Sequence, residues 1–204
     1  MILPKQFRKG TVDLTVWKRI QSGDEYGEIN FSKLRTVVDV GAHIGSFSFL
    51  AATSGVEQVL AFEPNPESHA LAEANLAGLE NVQLHNAGVL DRSGIVKSVP
   101  HANPLNTGGA TVVWTARTGV RCFSIDEVVD MLGEIDLLKL DCEGSEFAIL
   151  RGCTKLDAVR GIVGEYHGEP RQIISLCRYL GNLGYVTRFY STHPKMGKFY
   201  ASRP

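Results

Sequence analysis

The stretch Thr36-Val-Val-Asp-Val-Gly-Ala-His-Ile-Gly-Ser-Phe-Ser-Phe-Leu50 constrains this chain more than any other. The apolar run Val37, Val38 and Val40 stops at Gly41, and after Gly45 a helical spacing takes over through Phe47, Leu50 and Ala51. A short apolar run bounded by glycine reads as a buried strand, and the 3.6-residue spacing as a helix. Glycine at the junction suits backbone that must turn tightly or approach another group closely. A strand feeding straight into a helix opens a βαβ unit, so a parallel sheet covered by helices on both faces is expected.

The rest of the chain keeps that rhythm. Gln58–Phe62 reads as a second strand before a helix near 66–77, and Val82–Ala87 as a third strand after the Gly78 stop. Ser124 caps a helix over Ile125–Leu132, with Glu127 in the fourth position of a capping box. Ile135–Leu140 is a fourth strand, followed by Asp141-Cys-Glu-Gly-Ser-Glu146 and a helix to about Arg151. Gly161–Tyr166 is a fifth strand, with a helix from about Pro170 to Leu183 behind it. Tyr185–Tyr190 and Lys198–Ser202 have no crossover helix between them and therefore form an antiparallel C-terminal hairpin. Residues 1–35 are a lead-in in which Val12, Val16, Trp17 and Ile20 share one helical face that ends at Gly23-Asp24. Glycines and prolines break the alternation over 88–123, a hairpin-rich insertion that is either near the site or a surface ornament.

A chain of 204 residues, 44% hydrophobic, suits one core, so residues 1–204 are expected to form a single domain. Lys+Arg 21 against Asp+Glu 22 gives a net charge of -1, which offers no global field for nucleic acid or an anionic membrane. No apolar run approaches the roughly 20 residues of a spanning helix. The first ten residues lack a signal peptide's apolar stretch. Cys122, Cys142, Cys153 and Cys177 have neither CxxC nor zinc spacing, which points to a reduced, cytoplasmic setting.

Ligands of open α/β sheets bind beyond the carboxyl ends of the strands. Those ends read Asp39-Val-Gly41, Glu63-Pro-Asn65, Asn86-Ala87, Asp141-Cys-Glu143 and Glu165-Tyr-His167. Five polar ends in succession make a candidate site. Asp39 beside a helix start would repel a pyrophosphate, so the position suits a nucleoside cofactor that carries positive charge and no phosphate. S-adenosylmethionine fits that description. Glu63 is positioned to accept both ribose hydroxyls, as acidic residues after the second strand do in dinucleotide folds. Asn86 and Ala87 would flank the adenine, although Asn also favours turns.

Together the segments Val-Asp-Val-Gly-Ala-His-Ile-Gly, Phe-Glu-Pro-Asn-Pro, His-Asn-Ala-Gly-Val and Asp136-Leu-Leu-Lys-Leu-Asp-Cys-Glu-Gly-Ser-Glu146 resemble the FkbM-type methyltransferases over roughly residues 36–190. The resemblance implies a class I (Rossmann-like) fold with a mostly parallel seven-stranded sheet, S-adenosylmethionine as donor, and a hydroxyl acceptor on a natural product or sugar. It implies that Asp39, Gly41 and Gly45 border the methionine part of the cofactor and Glu63 its ribose, with Ala42, His43 and Asn65 also among the cofactor-binding residues. Asn86 and Ala87 then fall near the adenine, and Asp141 near the sulfonium and acceptor. Gly10-Thr-Val-Asp13 and Glu25-Tyr26 are similar to family segments that cover the cofactor. One departure is His43, where the family commonly has Asn.

A hydroxyl acceptor must lose a proton, and a positioned base adds typically ~10²–10⁴-fold. Asp141, Glu165 and His167 are the catalytic candidates, with Glu143 and Glu146 as bases or as caps of the next helix. His167 alternatively binds its own loop. The Asp-Asn pair of catechol-type enzymes is missing, so no metal is expected. The acceptor should meet His101, Asn103, Asn106–Gly109 and Trp114. A homodimer could help enclose so small a site. Transfer to an amine or a protein side chain, a nicotinamide oxidoreductase and a non-catalytic S-adenosylmethionine-binding protein are the alternatives; the missing third glycine and Asp39 argue against nicotinamide.

Overall fold

A computed structural model describes residues 2–27 and 29–203, and Met1, Glu28 and Pro204 lie outside the described residues. In chain order the main elements are α1 (Asp13–Ser22), β1 (Thr36–Val40), α2 (Ser46–Thr53), β2 (Gln58–Phe62), α3 (Pro66–Leu76) and β3 (Val82–His85). Four short strands follow, β4 (Ala87–Leu90), β5 (Gly94–Val99), β6 (Thr111–Trp114) and β7 (Val120–Ser124). The chain then runs through α4 (Ile125–Leu132), β8 (Ile135–Leu140), α5 (Glu146–Gly152), β9 (Val159–His167), α6 (Pro170–Asn182), β10 (Val186–His193) and β11 (Met196–Ser202).

The large sheet has seven strands in the order β10-β11-β9-β8-β1-β2-β3, parallel except for β11, which is antiparallel to both of its neighbours. This is a class I methyltransferase-like α/β fold with the expected terminal hairpin. β1 has β2 on one side and β8 on the other, so the strand order reverses beside Gly41. A crevice opens at such a switch point because the two following connections leave on opposite faces.

Alternation along the central strands sends successive side chains to opposite faces. Val37, Val59, Leu137 and Val163 pack with Ile20, Phe47 and Ala51 under α1 and α2. Val38, Leu60, Leu138 and Ile162 pack on the other face with Val128, Ile149 and Leu176 of α4, α5 and α6. The predicted face of α1 is buried through Trp17 and Ile20, and Gly23 ends the helix in a left-handed conformation. The Ser124–Glu127 capping box forms as the spacing predicts.

Two expectations change. The third strand stops at His85 rather than Ala87, and Ala87–Leu90 joins a second, four-stranded sheet ordered β4-β7-β5-β6. The break falls at Asn86, whose side-chain amide donates to the Glu63 carbonyl at 2.9 Å and turns the chain out of the first sheet. The 88–123 excursion is therefore more than hairpins. β5 and β6 do form one, but β4 pairs in parallel with β7, Ala87 opposite Arg121 and Gly88 opposite Cys122. A parallel pair needs a crossover, which the segment between the two strands supplies. Among the described residues no helix is long and apolar enough to cross a membrane.

Candidate functional site

The ends of β1 and β8 close tightly at Gly41. Its φ is +81°, and a Cβ there would stand 1.9 Å from the Asp141 carbonyl oxygen, so only glycine fits. The Gly41 and Ala42 amides both donate to the Phe62 carbonyl at 3.0 Å, tying the loop to β2. His43 follows at φ +52°, a left-handed conformation that Asn and His adopt more readily than most side chains. That shared tolerance accounts for His at a position where Asn is common.

Glu63 ends β2 as a buried carboxylate that accepts the amides of His43 and Asn65, each at 2.7 Å. Burial pushes its carboxyl above the ordinary range, opposed by those amides and by His43. Each oxygen keeps a lone pair for a further donor. Asn65 caps α3 by accepting the Glu67 and Ser68 amides.

Asp39 differs from the sequence reading. It is 0% exposed, paired with Lys139 at 2.9 Å and accepting the Ser48 hydroxyl at 2.6 Å. β1 and β8 are adjacent with Asp39 opposite Lys139, so the charge expected to meet a ligand is met by the protein. Lys139 also donates to the Gly41 carbonyl at 2.7 Å. Burial works against its charge, but Asp39 and Asp141 outweigh it and hold the ammonium above its usual value. Gly45 packs on Leu76 and starts α2.

A cavity of about 520 Å³ opens beyond these strand ends. Gly41, Ala42, His43, Glu63, Ala87, Asp141, Glu165 and His167 line it, whereas Asp39, Gly45, Asn65 and Asn86 do not. His101, Asn106 and Thr107 of the excursion line it too, so that segment borders the site. Asn103 and Trp114 do not line it.

The lead-in, two segments of which resemble cofactor-covering segments of the family, supplies a wall through Val12, Val16, Ile20 and Glu25; what residue-by-residue reading missed is how Asp13 is partnered. Asp13 is 0% exposed, accepts the Arg8 amide at 2.9 Å and the Thr107 hydroxyl, and lies 3.1 Å from His43 Nε2. Burial opposes its charge, yet bonds from His43, Arg8 and Thr107 hold its carboxyl far below the ordinary range. The signal was available: Asp13 shares the helical face of Val16, Trp17 and Ile20, an odd place for a carboxylate without partners. Glu25 also lines the cavity, paired with Arg19 at 2.9 Å and Lys198 at 3.5 Å.

Opposite Glu63, four acidic groups surround one imidazole. His167 Nε2 lies 3.4 Å from Glu143 and 3.9 Å from Glu165, and Nδ1 lies 3.3 Å from Glu146. Burial opposes its charge, but Glu146, Glu143 and Asp141 push it up to about 9. Glu165 is raised to about 7 by burial and then by Asp141. Asp141, Glu143 and His167 bring ligand-type atoms within 4.8 Å of one another. Around the ring, Glu143, Glu146 and Glu165 stand as its ion-pair partners.

A family model described as the methyltransferase FkbM domain matches residues 39–187. No curated protein matches the sequence. Among solved structures, the precorrin-6y C5,15-methyltransferase of Geobacter metallireducens is similar at TM-score 0.53 and 16% identity, over 98% of this chain and 93% of that one. An rRNA methylase from Streptococcus thermophilus has TM-score 0.54 and 12% identity, over 90% and 94%. The FkbM methyltransferase of Methylobacillus flagellatus has TM-score 0.53 and 15% identity, over 88% of this chain and 50% of that one. At these identities the structures show a shared fold.

Proposed function

Because this chain belongs to the FkbM methyltransferase family and is an S-adenosylmethionine-dependent methyltransferase, we propose that it methylates a hydroxyl of a small molecule or glycan. The observation that carries this reading is Glu165, a cavity-lining carboxylate raised to about 7 and able to take a hydroxyl proton near neutrality.

The cavity fits the cofactor's chemistry. Its volume lies within the roughly 300–1,000 Å³ of small-molecule sites, and Glu63 offers a buried acceptor for ribose hydroxyls. S-adenosylmethionine supplies a methyl group on an electrophilic sulfonium. Gly41, Ala42 and His43 would border its amino-acid part, and Ala87 its base. Glu165 receives the acceptor's proton, and Asp141 adds negative potential beside it. Holding the acceptor in line is worth on the order of 7–11 kcal/mol in favourable cases.

A polyanion such as RNA would bring phosphates against Asp141, Glu143 and Glu165, a repulsion that a neutral polyol avoids. The same carboxylates suit an amine, which is the second reading. Four free cysteines fit a reducing compartment. The test is incubation with methyl-labelled S-adenosylmethionine and separate small-molecule, glycan, RNA and protein fractions, read by mass spectrometry. Label on an oxygen of a small molecule or glycan is expected, and label only on nitrogen, RNA or protein would overturn the reading.

A further inference from the structure

We propose that Glu146 is a positioning residue that acts through His167, a role that rests on the reading of Glu165 as the base. Glu146 opens α5 at 0% exposure and reaches back across the turn after β8. It accepts the Cys142 amide at 3.0 Å and the Gly144 amide at 3.0 Å, and it lies 3.3 Å from His167 Nδ1 at the end of β9. Two backbone donors fix the carboxylate, so the imidazole orients to it. Nε2 is then left on the side of Glu143 and Glu165.

A buried carboxylate facing an imidazole favours the charged ring. His167 therefore stands as a fixed cation beside the base. Glu165 is faced by Asp141 from the end of β8 and Glu25 from the lead-in, which disfavour its ionised form, and by His167 from its own strand and Lys198 from β11, which favour it. Without the imidazolium, Glu165 would stay protonated to higher pH and lose competence as a base near neutrality. Glu146 does not line the cavity, and its effect passes through the ring.

The test is an NMR titration of the full chain that follows the His167 ring nitrogens and the Glu165 carboxyl carbon in wild type, Glu146→Gln and His167→Gln. The Glu146→Gln side chain keeps an oxygen for the turn amides and removes the charge. The His167 midpoint should fall from about 9 in Glu146→Gln, and the Glu165 midpoint should rise above about 7 in both variants. An unchanged His167 midpoint overturns the proposal, as does a Glu165 shift in Glu146→Gln that His167→Gln does not reproduce. Should Glu146→Gln fail to fold, His167→Gln decides alone: an unmoved Glu165 overturns the proposal. Failure of the methyltransferase reading would appear separately, as absence of S-adenosylhomocysteine binding to wild type.

Discussion

On one side of the cavity Gly41, His43 and Glu63 are held by backbone hydrogen bonds, while on the other Glu143, Glu165 and His167 are held by one another's charges. The first wall is built before any ligand arrives: its buried Glu63 accepts two backbone amides, and the Asp39–Lys139 pair behind Gly41 neutralises itself. The second wall keeps groups that can change protonation near neutral pH. Binding needs a fixed surface and proton transfer needs a titratable one, and the two are kept on different strands.

The sharpest way to break this division is Glu165→Gln. The rate should fall by about 10²–10⁴ while S-adenosylhomocysteine affinity holds. In wild type the rate should decline as pH falls through about 7, where Glu165 takes up a proton, and a flat profile would contradict its role as base. Lys139→Met leaves Asp39 buried and uncompensated, and denaturant unfolding should show a loss of about 3–5 kcal/mol. Adding Asp39→Asn should recover most of that loss, because the isolated charge is then gone.

Asp13→Asn tests whether the lead-in belongs to the fixed wall. Its depressed carboxyl contributes stability that is present above the ordinary value of 3.8 and lost as pH falls below it, so the variant should flatten the acid limb of the stability curve. The smallest effect is expected from Ser124→Ala, which removes the α4 cap at a residue that does not line the cavity. Thermal unfolding should register about 1 kcal/mol with no change in cofactor affinity.

Much of the fold is legible in the sequence because local chemistry and long-range packing agree. Ile135–Leu140, the Ser124–Glu127 box and the Pro170 helix start all carry their signals within a few residues. Asp39 escapes such a reading because its partner lies far along the chain, on a strand whose adjacency only the folded sheet reveals. A lone Lys in Leu-Leu-Lys-Leu and a lone Asp in Val-Val-Asp-Val are opposite charges in two apolar strands, which is the available clue. Asn86 is expected at the adenine; in the fold one N–H of its amide ties it to the Glu63 carbonyl, and it does not line the cavity. The Glu146–His167 contact joins a helix start to a strand end and leaves no mark in spacing.

Calorimetry with S-adenosylhomocysteine on wild type, Glu63→Ala and Glu165→Gln tests the central claim most directly. The account predicts one site per chain, weakened by about tenfold or more in Glu63→Ala, as expected for lost hydrogen bonds to a charged group, and unaltered in Glu165→Gln. No heat with folded wild-type protein, or equal losses in both variants, would contradict it.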